Sequence, residues 1–201
     1  MNRRGWGGEW RSPGARPRAR PSRFILDPEV APVEFVVSRP AAGELRGRFW
    51  GCGGTLELGE GEPATASMVV RLTTATIRTG SAVLDRYLCT PAVLDAAHHP
   101  AITFRSRNAE ADGPGRFRIA GELALRGVHR AVGIDATLAR PAAALAGPRV
   151  LRLTGTTTLH ARAFGLPPPL AAPAGPWAPA AELGVRFVLE WVEVGTAPPA
   201  A

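Results

Sequence analysis

Alternation of apolar and polar residues dominates this chain. In "RFRIAGELALRG" (116–127), Phe117, Ile119, Leu123 and Leu125 share one face, with Arg116, Arg118, Glu122 and Arg126 on the other. "AVGIDATL" (131–138) repeats this with Val132, Ile134 and Leu138, and "MVVRLTTATI" (68–77) with Met68, Val70 and Leu72. "ITFRSR" (102–107) sets Ile102 and Phe104 against Arg105 and Arg107. "VEFVV" (33–37) opens the series; "VLRLTGTTTL" (150–159) and "LGVRFVLEWVEV" (183–194) close it, the last aligning Val185, Phe187, Leu189 and Trp191. Successive side chains of a strand point to opposite faces, so the pattern predicts half-buried antiparallel strands.

Turn signals separate these segments: "GEGEP" (59–63), "ADGPG" (111–115), "RGVHR" (126–130) and "RPAAALAGP" (140–148). "LPPPLAAPAGPWAPA" (166–180), with six prolines, predicts a loop. Helical character interrupts the series only in "LDRYLCTPAVLDAAHHP" (84–100). About eight strands, scarce helix and no strand–helix–strand crossover predict an all-β antiparallel barrel or sandwich.

Charge divides the chain of 201 residues, whose net charge is +7. Residues 1–23 hold seven arginines against Glu9, leaving +6; the other 17 arginines face 16 acids, leaving +1. The folded part is therefore nearly neutral, which argues against a nucleic-acid surface. Residues 1–22 read as a disordered Arg/Gly/Pro-rich arm suited to transient contact with anionic membrane; 23–195 read as the barrel domain and 196–201 as a flexible tail. All 24 basic residues are arginine, a skew that a GC-rich genome would produce. Cys52 and Cys89 lack C-x-x-C spacing and read as reduced, buried thiols. The first segment has no apolar run of signal-peptide type, so cytoplasmic residence is the expectation.

Candidate chemistry is sparse. His98 and His99 on extended backbone would point to opposite faces, and His129 and His160 sit in unrelated segments, so no metal is expected. There is no nucleophile elbow, phosphate loop or carboxylate pair, so neither a catalytic residue nor a cofactor is expected. Asp85 and Asp95 read as structural: Asp85 as an acceptor after Thr79-Gly80, Asp95 at the head of "DAAHHP", where Pro100 returns the chain to strand.

"LDRYLCTPAVLDAAHHP" (84–100) and "RFRIAGELALRG" (116–127), with the alternating segments around them taken in order, resemble the YceI-like family of lipocalin-like polyisoprenoid-binding proteins. "FILDPEVAPVEFVV" resembles the family's first strand, and "LRGRFWGCGGTLEL" (45–58) carries Gly47 and Phe49 in its V-x-G-x-F position. "TIRTG" (76–80) is similar to S-I-x-T-G. "LDRYLCTPAVLDAAHHPAITFRS" follows R-D-x-H-L-x-S-x-x-F-D-x-x-x-y-P-x-I-x-F-x-S. "RFRIAGELALRGVHRAV" and "TTTLHARAFG" match two further blocks. Leu84, Tyr87, His129 and His160 depart from the usual residues.

The resemblance implies an extended eight-stranded antiparallel lipocalin-like barrel with a short helix in the 85–98 connection, enclosing an apolar tunnel for an isoprenoid chain. Candidate lining residues are Phe35, Val37, Phe49, Met68, Val70, Leu72, Phe104, Phe117, Ile119, Leu123, Phe187 and Leu189; alternation alone does not separate lining from plain core. Arg46, Arg48, Arg86 and Arg126, near predicted strand ends, are candidates for a headgroup. The expected function is non-catalytic binding, sequestration or transport of a hydrophobic amphiphile, an isoprenoid lipid above all. Its rivals are a cyclase- or isomerase-type enzyme using the same cavity and a packed barrel acting through its surface. Homodimerisation stays open.

Overall fold

The computed structural model describes residues 22–26, 32–39, 43–59, 66–140, 149–166 and 182–196. The strands are β1 (Ser22–Leu26), β2 (Val33–Arg39), β3 (Gly43–Phe49), β4 (Cys52–Leu58), β5 (Ser67–Thr73), β6 (Ile77–Arg78), β7 (Ala101–Ala111), β8 (Arg116–Leu125), β9 (Val128–Ala139), β10 (Val150–His160) and β11 (Glu182–Thr196). Eight of them pair in the order β1-β4-β5-β7-β8-β9-β10-β11, and β11 pairs back with β1 to close an antiparallel barrel. Closure leaves this ring no free edge.

The eleven segments fill eight stave positions because three staves are broken. β1 and β2 both pair with β11, the first near Trp191 and the second near Phe187. On their other side they meet β4 and β3. β3 turns into β4 at Trp50-Gly51, where Gly51 N–H donates to Thr76 Oγ1 and Gly51 C=O accepts from Thr73 N–H. β5 reaches β6 through a single 3-10 turn, Thr74–Thr76.

Among the described residues one α-helix, α1 (Ala82–Cys89), interrupts the strands. It begins three residues before the 85–98 connection in which the sequence places a short helix, and overlaps it at residues 85–89. Ser81 caps it by accepting from Leu84 N–H, and Thr90, which precedes Pro91, is extended with ψ 161° as a pre-proline residue must be. Residues 91–98 form turns instead. Leu94, Asp95 and Ala96 donate their N–H groups back to the carbonyls of Leu88, Thr90 and Cys89. His98 and His99 therefore leave a turn rather than extended backbone.

The two described hairpin turns follow their sequence signals. Gly113 and Gly115 take φ of 109° and 68° in "ADGPG". The β8–β9 turn has two residues, Arg126 (φ 52°) and Gly127 (φ 71°), the left-handed pair that a tight hairpin requires. The arm, the Pro-rich segment 167–181, most of "GEGEP" and "RPAAALAGP", and the tail from 197 lie outside the described residues.

Inward residues form two clusters stacked along the barrel. One end is packed solid around Phe24 and Trp191, both 0 % exposed, with Leu151, Leu153, Ile119 and Ala136. Gly54 makes room for the indole, because a Cβ there would meet the Val69 carbonyl and the ring edge of Trp191. The other cluster, with Phe35, Phe49, Ile77, Leu88, Val93, Leu94, Leu125 and Phe164, lies under α1 and the turns after it. Cys52 is buried and Cys89 half-buried, neither in a disulfide.

Candidate functional site

Between the solid end and α1 lies a cavity of about 290 Å³. Its described walls come from β2, β3, β5 to β11 and α1, together with Val93, Leu94 and Leu166, and every described lining residue but Thr157 is apolar. Thr157 Oγ1 donates to the Gly133 carbonyl at 2.7 Å, so its hydroxyl is already used. Among the described residues no titratable side chain lines the cavity.

Nine of the twelve candidate lining residues meet here: Phe35, Phe49, Met68, Val70, Leu72, Phe104, Leu123, Phe187 and Leu189. Phe117 and Ile119 do not; they belong to the packed cluster at the far end. Phe117 is six residues from Leu123 on the same face of β8, about 20 Å along the strand at ~3.3 Å per residue. The side chain of Val37 lies outside the described residues; its backbone pairs with Leu45 and Val185. The cavity also recruits residues that alternation marked only as inward, such as Val132, Ile134 and Val185, and some it did not mark, Leu88, Val93, Leu94 and Leu166.

Three phenylalanines keep the cavity open by lying on glycines. A Cβ at Gly47, Gly121 or Gly155 would sit closer than 3.0 Å to ring atoms of Phe35, Phe104 and Phe187 respectively. Gly47 is directly opposite Phe35 and Gly155 opposite Phe187, while Gly121 is diagonal to Phe104. Each ring covers bare backbone on the barrel wall instead of projecting across the lumen, the aromatic-on-glycine device of curved sheets. Phe35 and Phe49 also contact each other, centroids 5.3 Å apart.

An end cap lies over one side of the chamber. Arg126, on the β8–β9 turn, donates to the Gly165 carbonyl (2.7 Å) and the Pro91 carbonyl (3.0 Å), gathering three distant segments. The His99 ring lies against Gly127, and Thr74 Oγ1, buried, donates to the His99 carbonyl at 2.8 Å. Asp85 Oδ1 accepts from both the N–H and the hydroxyl of Thr79, each at 2.7 Å, fixing α1 to β6. Asp85→Ala is expected to cost about 1.5–3 kcal/mol, since hydrogen bonds to a charged acceptor are lost; a urea-unfolding midpoint measures it, and Asp85→Asn should lose less.

The other candidates are spread over the surface. Arg46 pairs with Glu44 (2.7 Å), Arg48 lies 5.9 Å from the Trp50 ring centroid, Arg86 is exposed on α1, and Arg126 is the cap's clamp. None of the four lines the cavity. Asp95 takes φ 49° and accepts from His98 Nδ1 at 2.9 Å, a bond that lowers its carboxyl below the usual range. Glu122 is lowered in the same way by His129. Burial pushes the Cys89 thiol up, with Arg78 acting against it and Asp85 with it. Among the described residues no three His, Cys, Asp or Glu side chains gather where a metal could sit.

Fold and cavity together define a small closed antiparallel barrel around an apolar chamber. Within that class the chain belongs to the YceI-like family, whose YceI-like domain model matches residues 24–190. It is similar to the UPF0312 protein of Pseudomonas savastanoi pv. phaseolicola, 27 % identical over 172 residues, 85 % of this chain and 87 % of that protein. Among solved structures it is similar to Burkholderia cenocepacia BcnA (TM-score 0.66, 19 % identity, 82 % and 98 % of the two chains). It is also similar to a polyisoprenoid-binding domain from Saccharophagus degradans (TM-score 0.56, 16 % identity, 85 % and 98 %).

Proposed function

We propose that this protein binds a hydrophobic amphiphile by its tail, without chemical turnover, and that the tail is a short isoprenoid or similar hydrocarbon. The observation that carries this reading is the lining, apolar throughout except for a threonine whose hydroxyl is already bonded. A charged headgroup inside such a chamber would lose its hydration with nothing to replace it, so the head must lie at the rim. The polyisoprenoid-binding neighbour from Saccharophagus degradans supports the ligand class.

Volume limits the tail. A dry apolar cavity of about 150 Å³ takes a benzene ring, so 290 Å³ corresponds to roughly twelve carbons, or about two isoprene units. Removing about twelve carbons from water is favourable by roughly 10 kcal/mol at ~0.8 kcal/mol per carbon, before lost translational freedom is subtracted. A longer chain would have to continue out of the chamber. The enzyme reading would need an acid or base touching the substrate, and none of the described lining residues titrates, which favours binding.

Organic extraction of the purified protein followed by mass spectrometry tests the reading, together with titration by dansyl-undecanoate and competition by alcohols of increasing chain length. Saturable binding that peaks near ten to fifteen carbons is the expected result (the capacity above, as an order of magnitude). Absence of both a co-purified lipid and saturable probe binding would overturn it.

A further inference from the structure

The outer side of the end cap differs from the rest of the barrel surface. On α1, Leu88 points into the cavity, whereas Val83, Arg86 and Tyr87, spaced i, i+3 and i+4, share the opposite side. Val83 is 70 % and Tyr87 37 % exposed. The two hydrogen bonds from Thr79 to Asp85 hold this helix against β6. On β6, Arg78 is the cross-strand partner of Arg48 on β3, and Arg48 lies over Trp50, which is 52 % exposed. The patch therefore runs from α1 through Arg78 to Trp50.

Its charge is net positive: Arg48, Arg78 and Arg86 stand against one exposed carboxylate, Glu34, the cross-strand partner of Arg48, while Arg78 donates to the Ala75 and Ile77 carbonyls. Arg46, Arg107 and Arg149 each have a carboxylate partner, Glu44, Glu122 and Glu193. Arg48, Arg78 and Arg86 form no ion pair with a carboxylate among the described residues. Three such arginines beside an exposed tryptophan, tyrosine and valine make a surface with two chemical demands: anionic groups and an apolar layer within a side chain's reach. A second copy docked across a two-fold axis would set arginine against arginine. An anionic bilayer meets both demands, since tryptophan and tyrosine favour the headgroup level and each arginine near a charged leaflet strengthens binding about fivefold.

We propose that the protein seats on anionic lipid bilayers through Val83, Arg86 and Tyr87 of α1 together with Arg48, Trp50 and Arg78. The proposal rests on the reading that the chamber holds a hydrocarbon tail, for it places the cap of that chamber against the phase where such tails reside. Seating there lets a tail pass between bilayer and barrel without crossing water.

The test is co-sedimentation of the full chain with phosphatidylcholine vesicles, with and without phosphatidylglycerol. Binding should require the anionic lipid and weaken with salt. Arg48→Ala and Arg86→Ala should each weaken it about fivefold, and Val83→Asp at least as much. Wild-type affinity in all three variants would overturn the proposal and assign membrane contact to another surface, the arginine-rich first 21 residues included. A dimer in analytical ultracentrifugation without vesicles that Val83→Asp dissolves would overturn it in favour of a second copy. Dansyl-undecanoate binding in vesicle-free solution should be unchanged in all three. If the wild type fails that assay, the cavity reading falls, whatever the vesicles show.

Discussion

Gly155→Leu should weaken dansyl-undecanoate binding at least a hundredfold while leaving the barrel folded. The new side chain occupies the place of the Phe187 ring, whose Cζ, Cε1 and Cε2 are the nearest atoms to a Cβ at this glycine. Ring and leucine must then share the chamber. Four added carbons displace about as many ligand carbons, a loss of roughly 3 kcal/mol at ~0.8 kcal/mol each, which is about a hundredfold. Only a side chain yields, so stability should hold. Gly121 gives the contrast: a Cβ there meets the Arg105 carbonyl as well as Phe104, and backbone of a paired strand cannot step aside. Gly121→Ala should lose about 2 kcal/mol, a melting temperature lower by roughly 4–8 °C for a chain of this size. Calorimetry and probe titration on the two variants separate the effects; unchanged probe affinity in Gly155→Leu would show that the chamber is not where the probe binds.

The largest effect on stability should come from Trp191→Ala. Trp191 is fully buried where β11 exchanges β2 for β1, across from Leu26 and Leu151 and over Gly54. Truncating a buried tryptophan costs about 3–5 kcal/mol. Its indole N–H has no partner among the described residues. Trp191→Phe therefore gives up packing volume but no hydrogen bond and should lose far less than the alanine variant. Urea unfolding of both distinguishes packing from polar anchoring: equal losses would mean that the N–H, not the ring, holds this end together.

The faces of the strands were legible in the sequence, but positions along them were not. Alternation put Phe117, Ile119 and Leu123 on one side of β8, and all three point inward. Period two carries no information about depth, so it could not tell that Phe117 packs at the solid end while Leu123 lines the chamber. The use of the glycines was not legible for a related reason. Gly47 and Gly155 occupy inward positions, yet only pairing with Phe35 and Phe187 across the sheet shows their use. The cap was hardest to read. "TPAVLDAAHHP" looks helical by composition, but Pro91 ends α1 and left-handed Asp95 turns the chain. Leu88, Val93 and Leu94 thus become the chamber's cover, a role set by where the segment folds back. Arg126 was recognisable as a residue near a strand end, but its carbonyl acceptors are 35 and 39 residues away.

The bonding of that cover bears on time rather than affinity. Leu94, Asp95 and Ala96 bond to Leu88, Thr90 and Cys89, so the segment is knotted to itself and contributes nothing to the sheet ladders. Its ties outward include the Arg126 clamp and the contacts of Thr74 with His99 and Pro100, and left-handed Gly80 (φ 88°) stands at its entry. Swinging it aside breaks no rung between neighbouring staves. On the proposed function, a tail held in the chamber is therefore expected to leave by way of this cover, without unfolding of the barrel.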